Sequence, residues 1–485
     1  MSTYHNPIIK GFHPDPSICQ VGKDYYLVTS SFEFLPAIPL YHSQNLVNWT
    51  QIGHCLTNDY QINLHGTRNS GGIFAPTIRY HDGIFYLITT NISKGNFIVY
   101  TDNLQQGFSE PIWLDIKGID PSLYFEDGRV YVQNACFDHT GSYIQQVEID
   151  IKTGQLKENP VFISRGCGGR DVEAPHIYKI NGYYYLLCAE GGTREGHMVT
   201  VQRSQSLYGP FEPCPYNPIV TNRNHSKEIL QSVGHGDLFQ DHQGEWWMVA
   251  LATRPYKHCH HLGRETILIP VEWVDDWPVV KDGYAKMSYP ISMEITQQET
   301  NSFYDDFNCE QLGYQYNMIR DFLLDQYQIE SSVLRLYNNY ETLDSQQSPV
   351  FIGVRQCEVD CCFETQLTHY GGNSGLALYI DHCHHMEIGL NKEKHLYLKK
   401  TVGDMKTMHV ISYGQNTITI GIEANCNQYF FYYMNSNHQK EYIGSGLVKH
   451  LSVEMSDSPF TGVYCGMFIE ETGFVEFEYF QYQEK

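Results

Sequence analysis

The chain has 485 residues, 42 % hydrophobic and 14 % aromatic, with 55 acidic against 32 basic side chains and a formal net charge of -23. There is ample material for large cores, and the charge argues against nucleic-acid or anionic-membrane partners, which call for a basic surface. No stretch of about 18 apolar residues occurs, and the opening Met1-Ser2-Thr3-Tyr4 lacks a charged start with an apolar follow-on, so a soluble chain without a recognisable secretion signal is expected.

The 14 cysteines are scattered and form no CxxC pair, which points to reduced thiols and a cytoplasmic setting. Length alone suggests about three domains, but all-β domains reach ~200–250 residues, and two fit better.

In chain order, the first organising stretch is Gly11-Phe12-His13-Pro14-Asp15-Pro16-Ser17-Ile18. Variants follow at Ala75-Pro76-Thr77-Ile78, Asp120-Pro121-Ser122-Leu123, Ala174-Pro175-His176-Ile177 and Gly236-Asp237-Leu238. Each runs into a short polar turn with a glycine (Gly22, Gly83, Gly128, Gly182, Gly244) and then an aromatic pair or a β-branched and aromatic pair, the pattern of a β-hairpin. The closing aromatics Tyr26, Tyr86, Tyr131, Tyr185 and Trp247 stand 45 to 62 residues apart, near the period of four-stranded propeller blades. Five repeats predict five blades.

Between the hairpins a second element recurs, at 41–49, 100–104 and 203–211, and reads as a third strand followed by a turn with an apolar anchor. The blade pattern ends near Tyr289-Pro290, all six tryptophans lie before it, and Gln297-Gln298-Glu299-Thr300-Asn301-Ser302 reads as a polar linker. Beyond it short strands alternate, as in Leu376-Ala377-Leu378-Tyr379-Ile380 and Val475-Glu476-Phe477-Glu478-Tyr479-Phe480, which predicts a β-sandwich. The only helical hint is a weak Asp321-Phe322-Leu323-Leu324 segment. The fold expected is all-β, with a five-bladed β-propeller over 1–298 and a jelly-roll, concanavalin-like β-sandwich over 303–485.

Equivalent points of a propeller's innermost strands face one channel. Asp15 and Asp120 hold the same place in their repeats and Glu173 precedes the equivalent Ala174, so three carboxyl groups converge. Such a set suits glycosidic hydrolysis, in which one carboxylic acid protonates the leaving oxygen and another carboxylate activates water or attacks. An Asx-type turn is the plain alternative for each Asp-Pro, but repeats two and four carry alanine there, so the turn does not require aspartate.

Taken together, Gly11-Phe12-His13-Pro14-Asp15-Pro16-Ser17, Ser31-Phe32-Glu33-Phe34-Leu35-Pro36, Gly71-Gly72-Ile73-Phe74-Ala75-Pro76, Ile119-Asp120-Pro121-Ser122, Val172-Glu173-Ala174-Pro175-His176, Gly234-His235-Gly236-Asp237 and Leu262-Gly263-Arg264-Glu265-Thr266 resemble family 43 glycoside hydrolases. The likeness is nearest to the two-domain β-xylosidase and α-L-arabinofuranosidase branch and spans essentially the whole chain. It implies an inverting hydrolase in which Asp15 is the general base, Glu173 the general acid and Asp120 the residue that holds and tunes Glu173.

It further implies that Arg264 reaches sugar hydroxyls, with a salt bridge to a blade acid as the alternative. Phe32 and Phe74 are either sugar-stacking walls or core residues, and Thr193 is either a pocket or a turn residue. The family often has tryptophan at the place of Phe74, so the platform here is smaller. His235 is carried over as a substrate-side residue and as a helper in holding a central calcium ion; imidazole is a poor calcium ligand, which leaves a hydrogen-bonded histidine as the alternative. No cofactor is expected for the chemistry itself. Phe460, in Ser458-Pro459-Phe460-Thr461-Gly462, resembles the sandwich residue that caps the channel, which implies exo action. The clusters His258-Cys259-His260-His261 and His382-Cys383-His384-His385 lack paired-ligand zinc spacing and read as loop histidines.

The expected activity is release of terminal α-L-arabinofuranose or β-D-xylose from arabino- or xylo-oligosaccharides. An endo-acting arabinanase and a carbohydrate-binding propeller without turnover are the other readings. A homo-oligomer is compatible with any of them.

Overall fold

The computed structural model describes residues 2–297 and 300–485; Gln298 and Glu299 of the expected linker lie outside the described residues. Five four-stranded antiparallel sheets follow one another along the chain. Blade 1 comprises Ser17–Val21, Asp24–Val28, Ala37–Ser43 and Thr50–Leu56; blade 2 comprises Thr77–His81, Ile84–Asn91, Gly95–Thr101 and Ile112–Trp113. Blade 3 runs from Ile119–Glu126 to Val161–Ser164, blade 4 from Glu173–Ile180 to Glu212–Pro213, and blade 5 from Gln231–Gln240 to Trp277–Val279.

Blades 2, 3 and 4 turn their first hairpin on Asp82-Gly83, Asp127-Gly128 and Asn181-Gly182, both residues of each pair at positive φ, as a two-residue turn matched to strand twist requires. The segment after the third strand buries Leu46 and Leu207. Blade cores then form between neighbouring sheets from aliphatic residues of alternate positions, such as Ile88, Ile98, Val132 and Val147 between blades 2 and 3.

Each blade is built from consecutive strands, so the termini do not share a blade to close the ring. Instead Ser2–His5 pairs with Ser288–Ile291, and the N-terminal segment runs along the third strand of blade 5. There Tyr4 Oη and Asn6 Nδ2 both donate to Leu268 O at 2.9 Å, and Leu268 N donates to Asn6 Oδ1 at 2.9 Å.

Beyond the propeller, two eight-stranded antiparallel sheets form the sandwich. Along Val350–Arg355, Ile352 faces the sandwich core while Phe351 faces an aromatic layer shared with the propeller; Ala377 and Phe468 repeat this on neighbouring strands. Burial on both faces explains why Leu376-Ala377-Leu378-Tyr379-Ile380, expected from sequence to alternate, is apolar throughout. The shared layer joins Phe12, Phe32 and Phe34 of the propeller to Tyr379, Tyr397 and Tyr464 of the sandwich, with Phe34 stacked on Tyr464 at 4.0 Å.

Backbone pairing crosses the seam as well: Phe34–Leu35 of the propeller forms the edge strand of a sandwich sheet, opposite Asn317–Ile319. The fully buried Arg320 bonds Thr67 O at 2.6 Å and Asn69 Oδ1 at 2.8 Å. The weak helical signal at 321–324 is not realised. Leu323 sits at φ 52 and is buried in the sandwich core, while Phe322 packs on the propeller, so tertiary burial overrides a local propensity too short to nucleate a helix.

Candidate active site

Asp15, Asp120, Ala174 and His235 all adopt the left-handed conformation, with φ of 55, 52, 49 and 50°. They occupy the same place at the start of the inner strands of blades 1, 3, 4 and 5, two residues before Ser17, Ser122, His176 and Asp237. Three of these strands also show a register shift at this point, between Ile119 and Ser122, between Glu173 and His176, and between Gly234 and Asp237. Proline follows Asp15, Asp120 and Ala174 and has no N–H for the ladder, so pairing is already interrupted there. A non-glycine residue at positive φ costs about 1–3 kcal/mol and persists where its surroundings demand it. Here the bulges turn one tier of side chains toward the channel.

Asp15 is buried, and Arg264 grips it through Nη1 to Oδ1 at 2.9 Å and Nη2 to Oδ2 at 3.3 Å. Ser30 Oγ donates to Oδ2 at 2.5 Å, and His235 Nδ1 lies 3.4 Å from Oδ1. Burial pushes the Asp15 carboxyl up, but Arg264, His235 and Ser30 together outweigh it and hold it below its ordinary value.

The other two acids go the opposite way. Burial, with the Asp15 charge added, raises Asp120 to about 6 in spite of His235, Arg264 and the Ala174 N–H. Burial, then Asp120 and Asp15, raise Glu173 well above the usual carboxylate range. One ionised carboxylate therefore faces a pair that retains a proton, the separation that acid and base roles require.

Arg264 organises the walls too. Its Nη1 donates to Thr193 Oγ1 at 3.2 Å and its Nη2 to Phe460 O at 3.4 Å, while the guanidinium lies 5.6 Å from the Phe32 ring centre and 5.4 Å from that of Phe460. Phe32 stacks on Phe460 at 5.5 Å and meets Phe74 at 5.2 Å. Phe32 is buried, whereas Phe74, Phe460, Thr193 and Glu173 are half-buried, so Phe32 backs the wall and the others form its surface.

The sandwich loop carrying Phe460 is fastened by Phe460 N to Ser70 Oγ at 3.2 Å. It passes so close to the Arg264 strand that a Cβ on Gly462 would stand 2.6 Å from Leu262 O, which admits only glycine there. All nine site residues read from the sequence thus gather at one channel end, and Arg264 makes the salt bridge to a blade acid, Asp15, the second of its two readings.

Comparison with known proteins agrees with this geometry. Residues 4–278 match glycosyl hydrolases family 43, and residues 304–483 match the beta xylosidase C-terminal concanavalin A-like domain. The chain belongs to glycosyl hydrolases family 43.

It is similar to the non-reducing end alpha-L-arabinofuranosidase BoGH43B of Bacteroides ovatus, 37 % identical over 97 % of this chain and 92 % of that protein. It is also similar to a xylosidase/arabinosidase of Butyrivibrio fibrisolvens, 35 % identical over 99 % of both chains. Among solved structures, a xylan beta-1,4-xylosidase from Bacillus halodurans superposes with a TM-score of 0.93 at 32 % identity, covering 99 % of this chain and 100 % of that one.

In this family 43 hydrolase the residues around His235 do not suit calcium, which takes roughly six to eight oxygen ligands. The Asp15 carboxylate, 3.4 Å from His235 Nδ1, is already engaged by Arg264 and Ser30. One tier further along the inner strands, Asp237 is closed by Arg79 through Nη1 to Oδ2 at 2.8 Å and Nη2 to Oδ1 at 3.0 Å. His235 instead acts as a partner of Asp15.

The histidine clusters also have protein partners. His260 Nδ1 pairs with Glu454 at 2.7 Å, and His261 is buried at the domain seam, where its carbonyl accepts Val463 N at 2.8 Å. His384 and His385 are buried in the strand His384–Leu390, not in a loop as expected from sequence. Ligand atoms of Asp381, His382 and Cys383 lie within 4.8 Å of one another. The Asp381 carboxylate is nonetheless taken up by Cys383 N, His384 Nδ1 and Asp457 N.

The family 43 site includes residues not singled out as site residues from the sequence. Ser30 lies in a polar run, Thr29-Ser30-Ser31, whose spacing carries no signal. Asp237 could be found by lining up the repeats, where it takes the place of Ser17, Thr77, Ser122 and His176. Glu190 is fully buried and gathers Cys167 N at 2.7 Å and Gly169 N at 2.6 Å, which shapes the loop leading into Glu173.

Proposed function

We propose that this chain is an exo-acting, inverting pentosidase that releases terminal α-L-arabinofuranose or β-D-xylose from arabino- or xylo-oligosaccharides. The observation that carries the reading is the divergence of three neighbouring carboxyl groups, one held low by Arg264 and two held high by burial and mutual repulsion.

Asp15, ionised, takes a proton from water as the water attacks the anomeric carbon. Glu173, protonated, gives its proton to the departing glycosidic oxygen. Asp120 accepts the Ala174 N–H and keeps Glu173 protonated by its charge. Inversion follows from water attacking on the face opposite the leaving group, without a covalent intermediate.

The Phe74 and Phe460 surface, backed by Phe32, supplies a ring face for the sugar, and the sandwich loop tied to Ser70 supports a pocket that takes a chain end in place of an open groove. Names of the relatives, with arabinofuranosidase and β-xylosidase among them, support the choice of pentoses. A cytoplasmic setting is supported by 14 free cysteines.

The test is hydrolysis of p-nitrophenyl α-L-arabinofuranoside and p-nitrophenyl β-D-xylopyranoside, with proton NMR of the sugar as first released. Inverted pentose from either, absent with Asp15→Ala, is expected. Retained configuration or no turnover from folded protein would overturn the reading.

A further inference from the structure

A second cavity of about 460 Å3 lies in the crevice between blade 1 and the sandwich, and shares no lining residue with the carboxylate site. Its size falls in the ~300–1,000 Å3 range of small-molecule sites. Among the described residues that line it there is no aspartate or glutamate, in a chain that has 55 of them. Its cations are Lys10, answered by Glu358 at 2.7 Å, and Arg355.

Arg355 is buried. Its Nε donates to Phe12 O at 2.8 Å and its Nη1 to Asn317 Oδ1 at 2.7 Å, both neutral partners, and its Nη2 is buried without a hydrogen-bond partner among the described residues. The rings of Phe12 and Tyr464 stand 5.7 and 5.4 Å from the guanidinium, which softens its burial but supplies no negative charge. An unanswered buried charge costs several kcal/mol, so an anion in this cavity would gain what the protein leaves unused.

The walls narrow the kind of anion. Trp49 and Tyr314 offer ring faces, and the Trp49 indole is fixed by Nε1 to Leu46 O at 2.8 Å. Gln51 and Gln315 offer amides, and Tyr41, bonded to His13 Nε2 at 3.1 Å, offers a hydroxyl. Ring faces with amides and hydroxyls suit a polyhydroxylated ring. With Lys10 already answered by Glu358, the one guanidinium charge left over suits a monoanionic carboxylate better than a dianionic phosphate, which calls for more positive charge.

We propose that this interdomain cavity is a binding site for a sugar acid, a pyranose of monosaccharide size bearing one carboxylate, distinct from the catalytic pocket. Its occupant would sit behind the loop that carries Asp15, because His13 lines the cavity, Phe12 O is held by Arg355, and His13 N is held by Arg264 O at 2.9 Å.

The experiment is calorimetric titration of the whole chain with D-glucuronate, D-glucose and inorganic phosphate. Saturable one-to-one binding of D-glucuronate is expected, with glucose and phosphate at least about tenfold weaker. Glu173→Gln should leave glucuronate binding unchanged. Arg355→Met should weaken it at least about tenfold, the loss of one charge-assisted hydrogen bond.

Because Arg355 also braces the seam, Thr50→Trp, an exposed residue of the cavity lining, provides a second test by blocking the space. Absence of saturable binding, equal or tighter binding of glucose or phosphate, loss of binding in Glu173→Gln, or wild-type binding by both Arg355→Met and Thr50→Trp would each overturn the proposal.

Discussion

Two tiers of the propeller channel, two residues apart on the inner strands, each hold an aspartate gripped by an arginine from another blade. In the lower tier Asp237 meets Arg79, and Tyr178 Oη at 2.6 Å, Ser17 Oγ at 2.7 Å and Ile18 N at 3.2 Å complete its shell. One acid is matched by one base. Although burial pushes the Asp237 carboxyl up, Arg79 and its other partners hold it well below its ordinary value.

In the upper tier Asp15 meets Arg264 in the same way, but Asp120 and Glu173 share the space, and the negative charge exceeds what one guanidinium can answer. The same architecture thus yields a structural clasp where charges balance and a proton-holding site where they do not.

The widest difference between the tiers should appear in turnover. Asp15→Ala and Glu173→Ala are expected to lower kcat/KM on unactivated oligosaccharides by at least about 10³-fold, toward the upper end of what a general acid or base contributes. On p-nitrophenyl glycosides Glu173→Ala should retain more activity than Asp15→Ala, because that leaving group needs little protonation. Steady-state kinetics on both substrate types would check this, and equal losses on both would undo the assignment of roles.

Breaking the lower tier should act on stability. Arg79→Met strands Asp237 in a buried site, and about 3–5 kcal/mol of unfolding free energy should be lost, measurable by urea denaturation. The pH profile of whatever activity remains should keep its shape.

Smaller effects should sharpen the contrast through pH. Arg264 holds the Asp15 carboxyl down, so Arg264→Met should move the acidic limb of kcat/KM to higher pH. Asp120 holds Glu173 up, so Asp120→Asn should move the basic limb to lower pH. Because Asp120 and Glu173 titrate as a pair, the limbs report the pair and not one residue. Profiles that shift in the reverse sense would show that another group carries the proton.

Much of this arrangement is legible in the sequence because propellers repeat. The period from Tyr26 to Trp247 gives the blade count, and the shared place of Asp15, Asp120 and Ala174 leads to the carboxylate cluster. The alternation in the last third leads to the sandwich.

What escapes is what depends on pairs far apart in the chain. Arg264 and Asp15 are 249 positions apart and Arg79 and Asp237 are 158 apart, and no local pattern couples them. The left-handed turn at the inner strands escapes for another reason: it is adopted by aspartate, alanine and histidine alike, so no one residue type marks it. The fate of 321–324 shows the same limit, since burial between two domains decides it.

The two-residue strand Phe34–Leu35 has a consequence for anyone who would shorten this protein. It lends the sandwich its last strand, so a gene cut at the linker would yield a C-terminal piece with the Asn317–Ile319 edge open and the faces of Phe351, Ala377 and Phe468 uncovered. Unpaired edges beside bare aromatic surface are where chains stick to one another. Such a truncation should accumulate as aggregate on expression, and the two halves should have to be made together to be recovered in solution.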